Sequence, residues 1–122
     1  MGTWGSGNFQ SDGALDFVGD LIDQLANTAQ TCFDEENAQL DEGGESELVP
    51  SVAIITFLSQ NCGAAPPKPD VIANWRRKYL AIFDDQIDRL ADDDNYKAER
   101  RAVIDKTFGD LIELSSQFWK QG

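Results

Sequence analysis

The chain has 122 residues, of which 41% are hydrophobic and 26% charged, with ten Lys and Arg against 22 Asp and Glu, no His, and a formal net charge of -12. The charge is uneven: residues 1–67 carry eleven carboxylates, from Asp12 to Glu47, and no base, giving -11, while residues 68–122 set ten bases against eleven acids, giving -1. This length suits one folded domain, and the apolar content is too high for a disordered acidic tail. Bare nucleic acid and anionic membrane are disfavoured as direct ligands, because phosphate recognition needs clustered Lys and Arg.

Without His, the usual general base and every Ser/His or Cys/His nucleophile pair are excluded. Cys32 and Cys62 are far apart in a chain that has no secretory signal pattern and no apolar stretch long enough to span a bilayer. A cytoplasmic protein with two reduced thiols, rather than a disulfide, is expected.

Residues 1–10, MGTWGSGNFQ, read as an irregular segment anchored by Trp4 and Phe9. Ser11 or Asp12 offers an N-cap, after which Ala14, Leu15, Val18, Leu21, Ile22, Leu25 and Ala29 recur at helical spacing, predicting a helix over about 13–29. Residues 30–47 are polar and acidic and read as an acidic loop, with a short helix over 31–40 ended by Gly43 and Gly44. The run LVPSVAIITFL, 48–58, is apolar nearly all round. Pro50 suits the first turn of a helix, so a central helix ending before Gly63 is expected, with a strand as the alternative.

The Pro-rich stretch 63–70, GAAPPKPD, is a stiff connector. Behind it Ile72, Trp75, Tyr79, Ile82, Phe83, Ile87 and Leu90 form a stripe of helical period, with Asp70 as a cap. After Asp92-Asp93-Asp94-Asn95, a last helix places Val103, Ile104, Phe108, Leu111, Ile112, Ser115, Phe118 and Trp119 on one face. The short turn between these helices predicts an antiparallel hairpin.

Several constellations invite chemistry. Asp92 to Asp94 lack the alternate spacing, central Gly and distal Glu of an EF-hand and read better as a capped turn. Adjacent carboxylates such as Asp84-Asp85 and Glu35-Glu36 point apart on a helix, which argues against an acid-base pair, and Asp85-Arg89 and Lys106-Asp110 are spaced as surface ion pairs. Arg76-Arg77-Lys78 is the one basic cluster, and pairing with the acidic half is its expected role. Met1-Gly2 with Ser6 matches a myristoylation pattern, one that an acidic N-terminal half disfavours at an anionic leaflet.

The string Met1-Gly2-Thr3-Trp4-Gly5-Ser6-Gly7-Asn8-Phe9, followed by Asp12, Ala14, Asp16 and Phe17, resembles the MGxWGxGxFxxDxAxDF signature of the uncharacterised bacterial domain-of-unknown-function family 4259. The likeness is specific over about the first 25 residues and general beyond them. It carries no catalytic residues. In size and acidity such proteins resemble the immunity proteins encoded beside antibacterial toxins. Trp4, Gly5, Gly7, Phe9, Asp12 and Asp16 are then architectural, with the aromatics docked on the helices and Asp12 capping the first.

The expected fold is therefore all-α: one domain over 1–122, a compact bundle of four to five helices with a C-terminal antiparallel hairpin and an irregular Gly/aromatic N-terminal segment. The expected function is that of a non-enzymatic acidic binding protein, an immunity protein that occludes the basic active site of a cognate toxin. Asp34, Glu35, Glu36, Asp41, Glu42, Glu45 and Glu47 form its partner-binding surface. No metal, cofactor, nucleic acid or membrane is called for, and the isolated chain is expected to be monomeric. The alternatives are a carboxylate-dependent metal-binding protein or enzyme, built on Asp92 to Asp94 or on Asp84, Asp85 and Asp88, or a structural subunit with an apolar patch on the hairpin.

Overall fold

Ser11 begins the first helix: its backbone is extended and its Oγ accepts a hydrogen bond from the Ala14 amide at 3.2 Å, satisfying one of the donors a helix start leaves open. In the computed structural model, which describes residues 5–120, this helix is α1, Asp12–Asp34. Ser11 rather than Asp12 is thus the cap; Asp12 sits in the first turn, where its charge suits the helix dipole. Val18, Ile22, Ala29 and Cys32 form the buried stripe.

The separate short helix expected over 31–40 does not exist, because α1 runs on through its first residues. The helix stops at Glu36, whose φ of 55° is left-handed, with the Asn37 amide donating back to Cys32 O at 2.7 Å. Residues 37–42 then run outside any helix, with Ala38 and Leu40 buried. Gly43 and Gly44 are not helix breakers but points of close approach: a Cβ on Gly44 would lie 2.5 Å from Ala38 O and 2.8 Å from the Tyr79 ring.

A π-helical turn, Gly44–Leu48, leads directly into α2, Val49–Cys62. The helix expected for this apolar run forms and the strand alternative does not, with Pro50 in the first turn and Gly63 at φ 77° as the C-terminal stop. The connector then gives way at Pro69 to α3, Pro69–Leu90, capped by Lys68 backbone rather than by Asp70, which falls in the first turn. A turn of three residues leads to α4, Asp94–Lys120. There Asp93 Oδ1 accepts from the amides of Asn95 at 2.9 Å and Tyr96 at 3.3 Å, the capped turn read from the sequence.

The helices pack as a chain of neighbours, α3 on α4, α4 on α2, and α2 on α1. The α3–α4 hairpin is antiparallel, since Arg76, Asp84 and Asp88 pair in that order with Asp105, Arg101 and Lys97. Trp75, Tyr79 and Phe83 of α3 and Ile104, Phe108 and Leu111 of α4 are fully buried, and the Tyr79 and Phe108 rings lie 6.1 Å apart. Burying each such side chain stabilises the fold by about 1.5–3 kcal/mol before conformational entropy is counted. α2, packed between α1 and α4, needs apolar residues on more than one side, which explains its lack of a polar face.

Polar side chains fix what the apolar core leaves adjustable. Ser115 Oγ donates to Pro67 O, Trp119 Nε1 donates to Pro66 O at 3.0 Å, and Lys68 Nζ stands 3.6 Å above the Trp119 ring, binding the connector to the end of α4. Trp75 Nε1 donates to Gln30 Oε1 at 2.9 Å, joining α3 to α1. At the N-terminus, Gln10 Oε1 accepts from the Gly7 amide at 2.7 Å, and a Cβ on Gly5 or Gly7 would strike this side chain. Phe9, expected to dock on the helices, is 43% exposed and lies outside the buried core, while Trp4 and Gly2 of the lipidation pattern lie outside the described residues.

Candidate partner-binding surface

The acidic segment follows from the stop of α1. Asp34 closes the helix, Glu35 caps it and Glu36 turns it, and all three are exposed. No base lies in the last turn, so three carboxylates crowd the negative end of a 23-residue helix, where the dipole disfavours them. Gln30 Nε2 donates to Asp34 Oδ1 at 3.0 Å.

The seven acids divide by environment. Glu35 and Glu47 border a shallow groove of about 310 Å³, with Asn27, Thr28, Thr31 and Asn37 on its walls and Cys32 at its base. Asn37 Nδ2 donates to Glu47 at 3.4 Å. Burial first, then the Glu47 and Glu35 charges, push the Cys32 thiol up, so this sulfur stays protonated and is a poor nucleophile. Asp41 and Glu42 are exposed on a second groove of about 240 Å³, against Gln86 and Arg89 of α3.

Glu45 has a different role. It is half-buried on the π-helical turn, where Oε2 accepts from Tyr79 Oη at 2.5 Å and Oε1 accepts from Arg100 Nε at 2.8 Å. One carboxylate thus ties the turn to α3 and α4. Of the seven acids, Glu45 alone enters a salt bridge among the described residues.

The segment is also packed rather than loose. Ala38 and Leu40 are buried, the Leu40 amide donates to Gln86 Oε1 at 3.0 Å, and Gln86 Nε2 donates to Gln39 Oε1. Sequence reasoning missed Gln86, Tyr79 and Arg100 as supports for the acidic surface. The one hint lay in a Gln standing on the apolar stripe of α3, between Phe83 and Ile87.

Among the described residues no member of the basic trio forms a salt bridge with a carboxylate of the acidic half. Arg76 pairs with Asp105 of α4 at 2.5 Å, Arg77 Nη2 donates to Asn74 Oδ1, and Lys78 Nζ stands 5.7 Å from the Phe33 ring. It is Arg100 that forms a salt bridge with the acidic half, to Glu45. Lys106 and Asp110 form the expected surface pair at 2.7 Å, whereas Asp85 and Arg89 form no salt bridge among the described residues.

Asp84 is held by Arg101 at 2.9 and 3.0 Å, and the bonds from that guanidinium hold its carboxyl below the usual range. Asp88 meets Lys97 at 2.8 Å. Among the described residues no three Cys, Asp or Glu side chains converge to hold a metal ion.

The described residues thus form an all-α bundle with three exposed carboxylates at the end of its first helix. The family model described as Domain of unknown function (DUF4259) matches residues 2–120, and the chain belongs to that family. Comparison with the curated proteins and with the solved structures finds no significant match.

Proposed function

We propose that this chain is a non-enzymatic acidic binding protein, an immunity protein that acts in the cytoplasm by covering the basic active site of a cognate antibacterial toxin. The observation that carries this reading is the cluster Asp34, Glu35 and Glu36 with Glu47, joined by Asp41 and Glu42 farther along the segment. These carboxylates repel one another and oppose the helix dipole, so they weaken the fold slightly. A partner with a positive, phosphate-binding cleft would relieve that repulsion, and the same field would speed its approach. Glu45 is a supporting residue that holds the surface in place.

Co-expression with the product of the neighbouring gene tests the reading. Rescue of growth by the wild-type chain, and loss of rescue when Asp34, Glu35 and Glu36 are changed together to Asn and Gln, is the expected result. A harmless neighbour, or toxicity that this chain does not relieve, would refute it.

A further inference from the structure

The uncharged helix α2 presents Ile54 at 46% exposure and Phe57 at 64%, although it is packed between two neighbours. Across from them, Leu21 and Leu25 of α1 complete an apolar groove of about 410 Å³ with Ile54 and Leu58. Phe17, one helical turn before Leu21 on the same flank, is 65% exposed. Phe17 and Phe57 are thus the most exposed large apolar side chains among the described residues; neither lines the groove itself, but each stands about one helical turn from a residue that does, Leu21 on α1 and Ile54 on α2. Side chains scattered singly need no explanation, but an apolar groove with such a border marks an interaction surface.

The groove does not end in neutral surface. Thr28 lines both it and the acidic groove bordered by Glu35 and Glu47, so the two run on from each other along α1. On the outer side of α1 stands exposed Asp20; beyond α2, Glu113 and the Lys106-paired Asp110 line the next groove. Neither α1, the π-helical turn nor α2 contains a Lys or Arg.

We infer that the α1–α2 groove and the acidic end of α1 form one track for an amphipathic segment of a partner protein, which places apolar side chains over Leu21, Leu25, Ile54 and Phe57 and Lys or Arg beside Glu35 and Glu47. A second copy docking through the same face fits poorly, since α1 would bring carboxylates and no base to meet the carboxylates of the other copy, and α2 brings no charge at all. The inference rests on the acidic end being partner-facing, as proposed above, and adds an apolar half to the recognition. Apolar anchors in a desolvated groove contribute affinity, while the charges set orientation and rate.

Fluorescence titration of the full chain with a synthetic amphipathic helix of Leu and Lys, beside its Leu and Glu counterpart, tests the track. The Lys peptide should bind at least tenfold tighter than the Glu peptide. I54Q with F57Q should weaken it at least tenfold, as should E35Q with E47Q. Both pairs sit on exposed positions, and an unchanged melting curve checks that the fold is kept. If only the Glu substitutions weaken binding, the apolar half of the track is wrong and the acidic reading stands. If neither pair does, both fall. Sedimentation of the wild-type chain as a dimer that I54Q and F57Q dissociate would overturn the inference in favour of self-association.

Discussion

The hydroxyl of Tyr79 donates to Glu45 at 2.5 Å from a side chain with no exposed surface, so a residue that the sequence offers as loop charge is the acceptor for a core tyrosine. The other oxygen of Glu45 takes Arg100, and three elements meet at one carboxylate. Removing the acid while leaving the donors should be costly, because a buried hydroxyl and a half-buried guanidinium lose their partner together. Glu45→Ala is expected to lose about 2–3 kcal/mol in urea unfolding, and Tyr79→Phe about 1 kcal/mol. In a double-mutant cycle the two losses should fall short of additive by at least about 0.5 kcal/mol. Strict additivity would show that the bond contributes nothing to the fold.

The same buried tyrosine makes stability depend on pH in the alkaline range. Burial first, then the hydrogen bond to Glu45 and the charge of Glu45, push the Tyr79 hydroxyl far above its ordinary range, with Arg100 opposing in part. The folded chain therefore keeps a proton that the unfolded chain releases above about pH 10, so stability falls as pH rises past that point, by up to about 1.4 kcal/mol per pH unit. Buried Cys32 shifts in the same direction and adds to the loss from about pH 8.5 upward. Unfolding free energies of wild type and Tyr79→Phe should converge between pH 9 and pH 11, about the ordinary tyrosine value. Parallel curves would contradict the assignment.

Glu36 holds a left-handed backbone that glycine adopts freely, and it does so beside two other acids at the negative end of α1. Replacing it with Gly removes both the strain and one charge. Glu36→Gly should gain about 1 kcal/mol of stability in thermal melting at low salt, with less gain at high salt as the charge component is screened. A lowered melting temperature would mean that the Glu36 side chain supports the fold in a way its exposure does not suggest.

Gly44 carries the opposite sign. The oxygens of Ala38 and Gln39 and the Tyr79 ring enclose it, leaving no room for a methyl group. Gly44→Ala should cost about 2 kcal/mol or more, whereas Gly13→Ala, which meets open space on α1, should be neutral or stabilising. Equal effects at the two sites would rule out close packing as the reason for Gly44.

How much of this was legible in the sequence differs from element to element. The long helices were plain because apolar residues repeat at the helical period; Ile72, Trp75, Tyr79 and Phe83 are buried as that pattern requires. The end of α1 was not, since Thr31 to Asp34 continue the helix without a strong apolar stripe, and the stop is a non-glycine residue with positive φ. The basic trio was misread because sequence neighbours on a helix diverge in space, and hairpin geometry decides that Arg76 meets Asp105.

By itself the sequence determined the all-α class, the apolar character of residues 48–58, a capped turn within Asp92 to Asp94 and the placing of every base after residue 67, because each depends on local spacing or on simple counting. Only the tertiary structure decided which acids are engaged and which face solvent. Glu45 and Glu47 are two residues apart, yet one binds Tyr79 and Arg100 while the other lines a groove with Glu35. Tyr79 and Arg100 lie 34 and 55 residues away from Glu45 in the chain. Such partners meet only once α3 and α4 have packed, and so the anionic surface is set by the assembled bundle rather than by the string of carboxylates that supplies it.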